Sequence, residues 1–94
     1  MAGDQAILAK IEFSILRYRN GKGSFASLVS SLDGCTLRVA ADAPFRYELR
    51  SCWQDLDDIN RASCGGARPE PQGEHRRQAE VVLDELLDLT RAHR

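Results

Sequence analysis

The sequence lacks three features that would assign it to a large class of proteins. No apolar run approaches the roughly 20 residues needed to span a bilayer. The first residues also lack the basic-then-apolar order of a secretory signal peptide. Positive charge is not in excess, because thirteen Lys and Arg stand against fourteen Asp and Glu, whereas nucleic-acid-binding domains carry a basic surplus. We therefore expect a cytoplasmic protein that binds neither membranes nor, directly, nucleic acid.

Cysteine and histidine are also scarce. The three cysteines, Cys35, Cys52 and Cys64, form no C-x-x-C pair, and an odd number argues against a disulfide framework and a zinc ribbon. The two histidines, His75 and His93, lie in separate polar segments. We expect no metal site and no cofactor, and we expect Cys52 to be buried on the apolar face of a helix.

Motifs for catalysis are missing as well. The chain contains neither a G-x-S-x-G elbow nor an H-E-x-x-H helix. The segment Gly21-Lys22-Gly23-Ser24 resembles a phosphate-binding loop only in composition, since it lacks the upstream glycine and follows a helix rather than a strand. We predict that it is a turn between helices, that the chain has no catalytic residues and that the protein is not an enzyme.

What is present is the composition of one folded domain. The 94 residues are 43% hydrophobic and 29% charged, which is typical of globular chains and too apolar for a disordered one. A chain of this length can build one core but not two. We expect residues 1–94 to form a single helical domain.

The spacing of apolar residues predicts helices in the first half of the chain. The first is predicted over residues 4–19, with Asp4 as its N-cap and a glycine-containing turn after it. The second begins after an N-cap at Ser24 and is expected to be short, because Asp33-Gly34 would close it. Residues 35–41 alternate as a strand does, yet no second strand is visible. They are either an extended connector or a further helical turn.

Two stronger helices follow. The third is predicted to open at Asp42 or Ala43, with Pro44 in the first turn, and to end near residue 63 before two glycines. A Gly- and Pro-rich linker over residues 65–73 leads to the fourth helix, which begins near Glu74. These elements predict an all-α fold, a small bundle of about four helices with three longer and one short.

Helix-turn-helix DNA binding does not fit this arrangement. The connection between the second and third helices would span about nine residues, which is longer than the usual turn of about 3–4. The candidate recognition helix also carries Asp55, Asp57 and Asp58, which DNA phosphates would repel. We therefore predict that any acidic surface of this helix faces water or a protein.

Two acidic clusters are the most distinctive polar features. Asp55, Asp57 and Asp58 lie together on the third helix, and the fourth helix carries a second cluster composed of Asp84, Glu85 and Asp88. Like charges at helical spacing form either a solvated face or a surface complementary to a basic partner. Trp53 lies beside the first cluster and could pack in the core or anchor an interface.

The segment from Phe45 to Ala62, FRYELRSCWQDLDDINRA, contains an aromatic residue followed by a Trp-x-x-Leu-acid-x-Ile run. Together with the Gly-x-Gly-Ser-Phe turn and the final LDELLDL helix, this order resembles small helical bacterial immunity proteins of nuclease toxins. That family includes colicin D immunity proteins and relatives encoded beside contact-dependent toxins. The resemblance extends over nearly the whole chain in helix order.

The resemblance implies an immunity protein that binds a cognate toxin and occludes its active site with acidic residues. The contacts it implies are Asp55, Asp57, Asp58, Asp84, Glu85 and Asp88. The near-neutral net charge of −1 favours a mixed interface with Trp53 or Tyr47 as an apolar anchor. Free of its partner, such a protein is expected to be a monomer or a weak homodimer. The alternative is a self-associating helical protein of regulatory or structural role without a toxin partner.

Overall fold

Four α-helices make up nearly all of the residues that the structure describes. The structure is a computed structural model and describes residues 2–39, 43–63 and 70–93. The helices are α1 (Ala2–Arg19), α2 (Phe25–Arg38), α3 (Ala43–Ser63) and α4 (Glu74–Ala92). These described ranges contain no strand, and the predicted all-α bundle is confirmed. Within them, no helix combines the length and the apolar character needed to cross a membrane.

The four helices are arranged as a closed ring in which each helix packs against two others. Consecutive helices are in contact, and α1 also contacts α4. Arg19, at the end of α1, pairs with Glu80 near the start of α4 at 2.9 Å, whereas Glu12 accepts a hydrogen bond of 2.8 Å from Arg91 near the end of α4. Helices α1 and α4 therefore run antiparallel, which is the arrangement of an up-and-down four-helix bundle.

Helices α2 and α3 are also antiparallel and are joined by polar contacts. Arg50 Nη1 donates to Asp33 Oδ1 at 2.8 Å, and one turn further along α3 Trp53 Nε1 donates to the carbonyl of Val29 at 2.9 Å. The Arg50 guanidinium also lies 4.3 Å from the centre of the Trp53 ring, a cation–π contact. Arg50 thus holds the α2–α3 pair together from the solvent side.

The core is built from one apolar stripe on each helix. The apolar residues at helical spacing are buried on α2 (Phe25, Leu28, Val29, Leu32), on α3 (Phe45, Leu49, Cys52, Leu56, Ile59) and on α4 (Ala79, Val82, Leu83, Leu86, Leu87). On α1, Leu8, Ile11 and Ile15 are buried, whereas Ile7 and Tyr18 are half-buried. Among the described residues, the apolar side chains with no exposed surface are Ile11, Ile15, Phe25, Leu32, Leu49, Leu56, Leu83 and Leu86. Cys52 is buried as predicted, with 6% of its surface exposed. Helical periodicity therefore identified the core-facing side of each helix.

The turn between α1 and α2 forms as the sequence predicts. Gly21 has a φ of 81°, and the Lys22 and Gly21 N–H groups donate to Arg17 and Tyr18 carbonyls at 3.0 Å. This pair of bonds is the Schellman arrangement that closes a helix. Ser24 then caps α2, because its Oγ accepts a hydrogen bond of 3.1 Å from the Ser27 N–H.

The predicted end of the second helix at Asp33-Gly34 is wrong. Helix α2 continues to Arg38, so residues 35–38 are a further helical turn, while Val39 is extended with its side chain buried. Residues 40 and 41 of the predicted segment lie outside the described part of the chain. Thr36 is buried and bonds back to the Leu32 carbonyl at 2.8 Å, and Arg50 donates to its hydroxyl at 3.0 Å. These contacts offset the roughly 1 kcal/mol penalty of a glycine in a helix.

Two other helix starts differ from the predictions or fall outside the described residues. Helix α1 begins at Ala2, so Asp4 lies inside the first turn and is not the N-cap. Helix α3 begins at Ala43, and the alternative start at Asp42 lies outside the described residues, as does most of the predicted linker. Helix ends are the least specified part of a periodic pattern because terminal turns contribute little burial.

Replacing Gly34 with Ala should stabilise the protein by about 0.5–1 kcal/mol, because Gly34 lies in the helix and an added Cβ would meet no atom within 4 Å. Gly21→Ala is the matched control and should destabilise by about 1 kcal/mol, since its φ is positive. Urea denaturation followed by circular dichroism measures both. Destabilisation by Gly34→Ala would show that α2 ends where the sequence suggested.

Candidate functional site

An open groove lies on the surface between α3 and α4. Its volume is about 550 Å³ and its lining is mostly apolar. At one end the Phe45 ring stacks on His93, with ring centres 3.6 Å apart. The residues that line the groove are Tyr47, Glu48, Ser51, Cys52 and Asp55 on α3, and Glu85, Asp88, Leu89 and Ala92 on α4.

Four carboxylates line this groove and are not neutralised. Glu48, Asp55, Glu85 and Asp88 are all exposed, and none makes an ion pair with another residue in the described parts of the chain. Two come from each helix, so the packing of α3 against α4 brings Asp55 of the first sequence cluster close to Glu85 and Asp88 of the second. The groove therefore combines an apolar lining with an unpaired negative charge.

The pKa of the Cys52 thiol depends on the charges of the groove. The pKa of its thiol is raised to about 11, first by burial and then by the negative charges of Glu85, Asp55 and Glu48, in that order. Each factor disfavours the charged thiolate. Carboxylates from both helices thus act on one buried atom.

The groove extends towards the other end of α3 in a second, smaller cavity of about 320 Å³. Asp55 lines both cavities, and the second is also lined by Asp58, Ile59, Gln78 and Val82. Asp58 is exposed and accepts a hydrogen bond of 3.0 Å from Gln54 on the same helix. Asp58 therefore adds a fifth exposed carboxylate to this face of the bundle.

Two of the acidic residues singled out from the sequence point away from the groove. Asp57 is buried, with 8% of its surface exposed, and pairs with Arg61 at 3.0 Å. Asp84 pairs with Arg19 at 2.8 Å on the α1 side of α4. Each of these two carboxylates is already paired with an arginine of the bundle, so the structure separates them from the groove carboxylates.

Trp53 also lies outside the groove. Its ring is half-buried between α2 and α3, where it packs against the core, donates its N–H to Val29 and lies beneath Arg50. Tyr47, the other proposed anchor, lines the groove and is 76% exposed. Of the two aromatic anchors suggested by the sequence, the structure brings only Tyr47 to the groove carboxylates.

Several groove residues were not predicted from the sequence as site residues. Ser51, Leu89 and Ala92 carry no charge and were not singled out as contacts, and Cys52 was assigned only to the core. A signal was available, because Tyr47, Ser51 and Asp55 follow one another at four-residue spacing and so form one ridge of α3. The facing side of α4 could not be found in this way, because the pairing of helices is a tertiary property.

The described residues offer no obvious place for a metal ion. Among residues 2–39, 43–63 and 70–93, no three His, Cys, Asp or Glu side chains are placed to hold one. Comparison of the chain with models of protein families, with curated proteins and with solved structures found no match. The shape and charge of the groove are therefore the features of this chain that bear on its function.

Removing carboxylate charges from the groove should lower the pKa of the Cys52 thiol. Asp55→Asn combined with Glu85→Gln removes two of the three charges that raise it, so the midpoint of its pH-dependent alkylation should fall below 11, because the thiolate is the reactive form. Iodoacetamide labelling followed by peptide mass spectrometry measures this midpoint.

Two controls accompany this experiment. Burial raises the pKa of Cys35, but Lys10 and Arg38 are the charges that act on it, so its midpoint should stay constant. Asp58→Asn should leave Cys52 unchanged, since Asp58 is not among the groups that shift its pKa. An unchanged Cys52 midpoint in the double variant would mean that the carboxylates do not act on the groove interior.

Proposed function

We propose that this protein is an immunity protein that binds a cognate bacterial toxin, a nuclease, and covers its active site. The observation that supports the proposal is the α3–α4 groove, where four unpaired carboxylates from two helices surround a mostly apolar lining. The resemblance of the Phe45–Ala62 segment and of the helix order to immunity proteins directs the choice of partner. The mechanism is occlusion, in which one copy blocks one toxin molecule.

The chemistry of the groove matches the surface of a nuclease. A nuclease cleft is lined with Lys and Arg because its substrate is a polyanion. The aliphatic stems of such side chains can pack against Tyr47 and Leu89 while their charged ends reach the carboxylates. Arg also stacks on aromatic rings, and Tyr47 presents an exposed one. The groove carboxylates would occupy the positions that substrate phosphates take.

The proposal assigns toxin binding to residues on the groove side of the bundle. The proposed contacts are the unpaired carboxylates and the aromatic residue of the α3–α4 face, namely Tyr47, Glu48, Asp55, Asp58, Glu85 and Asp88. Asp57, Asp84 and Trp53 take structural roles in this proposal, because they are buried or bonded within the bundle. The protein performs no chemistry on the toxin and works in the cytoplasm, where the toxin would meet its nucleic-acid substrate.

Reversing two groove charges should abolish toxin binding. Asp55→Lys combined with Glu85→Lys places like charges against the basic cleft, and we expect affinity to fall by about 100-fold or more, since such reversals act on desolvated pairs. Asp84→Asn is the control, because this carboxylate already pairs with Arg19. Tagged forms of the wild-type protein, the double variant and Asp84→Asn are used to capture partners from a lysate of the source organism. The bound proteins are identified by mass spectrometry.

Capture alone does not decide the question. The proposal requires that the captured protein contain a basic nuclease domain, and that an equimolar amount of the wild-type protein or of Asp84→Asn inhibit its purified nuclease activity. The groove variant should not inhibit, although circular dichroism shows it folded. Inhibition by the groove variant equal to that of the wild type would reject the groove as the binding surface.

A further inference from the structure

Tyr47 separates the groove from a cavity of opposite charge. Its side chain lines the α3–α4 groove on one side, and on the other it lines a cavity of about 320 Å³ between α2 and α3. The other residues of that cavity are Thr36, Leu37, Arg46 and Arg50. Tyr47 and Leu37 are 76% and 63% exposed, so this part of the bundle combines exposed apolar surface with charge of both signs.

Arg46 is the unpaired cation of this α2–α3 cavity. Arg50 is committed to Asp33 and to the Trp53 ring, whereas Arg46 is exposed and forms no ion pair with the described residues. On the other side of Tyr47, Glu48 belongs to the unpaired carboxylates of the groove. One cation and one anion thus flank the same exposed aromatic ring.

Arg46 and Glu48 cannot form an ion pair with each other within one chain. Residues two apart on a helix point to opposite sides, about 200° from each other. Each charge is therefore available to another molecule. A surface with an aromatic centre, a cation on one side and an anion on the other is self-complementary under a two-fold rotation.

We propose that two copies of this chain associate through this surface, about a two-fold axis that passes beside Tyr47 and runs along α3. The rotation exchanges the two sides of the helix, so Arg46 of each copy lies over the groove of the other, against Glu48. The two Tyr47 rings meet at the centre, where aromatic pairs are favourable. The occupant is a second copy because this chain supplies both the groove and the side chain that fits it.

Such a dimer covers the α3–α4 groove in the free protein. A toxin that uses the groove would have to compete with the second copy. Dimerisation would therefore set the concentration of monomer whose groove is open to the toxin. The inference stands without the proposed function, because it concerns the purified chain alone. The interface relies on a few exposed charges, so association should be weak and should weaken further as salt screens them.

Charge reversals at positions 46 and 48 test the pairing. Sedimentation velocity of the purified wild-type protein at about 50 mM salt should show a reversible monomer–dimer equilibrium. Arg46→Glu and Glu48→Arg should each raise the dimer dissociation constant about tenfold or more. In a dimer of either variant, both contacts between position 46 of one copy and position 48 of the other bring like charges together. An equimolar mixture of the two variants should restore dimers, because only the mixed pair has opposite charges at both contacts. Arg17→Glu, an exposed reversal on α1, is the control and should leave the equilibrium unchanged.

Three results would overturn the proposal. The wild-type chain could remain monomeric at the highest soluble concentration, the dimer could be insensitive to both reversals, or the mixture could fail to restore it. Both substituted residues are exposed, and thermal melts confirm that the variants fold. None of these results bears on toxin binding, since no partner is present in the experiment.

Discussion

The structure depends on burying one apolar stripe from each of four helices in a common core. Helices of 14 to 21 residues are marginal in water when isolated, so packing supplies most of their stability. The ring in which each helix contacts two others buries all four stripes together. This constraint directs the remaining faces outward and so decides which charged residues are free. It also explains why α2 passes through Gly34, since stopping there would remove Thr36 from its buried position.

The acidic residues of α3 and α4 illustrate how packing distinguishes side chains that look equivalent in the sequence. Asp57 and Asp58 are adjacent, yet Asp57 is buried and paired with Arg61 whereas Asp58 is exposed on the groove side. Asp84 and Glu85 are also adjacent, and Asp84 is engaged by Arg19 whereas Glu85 lines the groove. A step of one residue turns a helical side chain by about 100°, which is enough to move it from one neighbouring helix to the next.

The groove and the cavity beside it connect the two proposals. An apolar lining with unpaired carboxylates suits a cationic surface, whether this belongs to a toxin or to a second copy of the chain. Tyr47 is central to both because it is the large exposed aromatic side chain at the boundary of the two charges. A toxin that offers several cations would outcompete a second copy that offers Arg46. Weak self-association and tight partner binding can therefore share one surface without conflict.

The sequence by itself determined the fold class, the number of helices, the Gly21 turn, the Ser24 cap and nearly all of the core. These follow from local spacing and local hydrogen bonding, which the order of residues encodes directly. Tertiary structure alone decided that α2 continues past Gly34 and that Asp55, Asp58, Glu85 and Asp88 lie on one face of the bundle. It also decided that Asp57, Asp84 and Trp53 are bonded within the bundle. The physical reason is that these outcomes depend on contacts between residues distant in the chain, such as Arg50 with Asp33 and Arg19 with Asp84. Periodicity shows which face of a helix is buried, but not which helix will cover it.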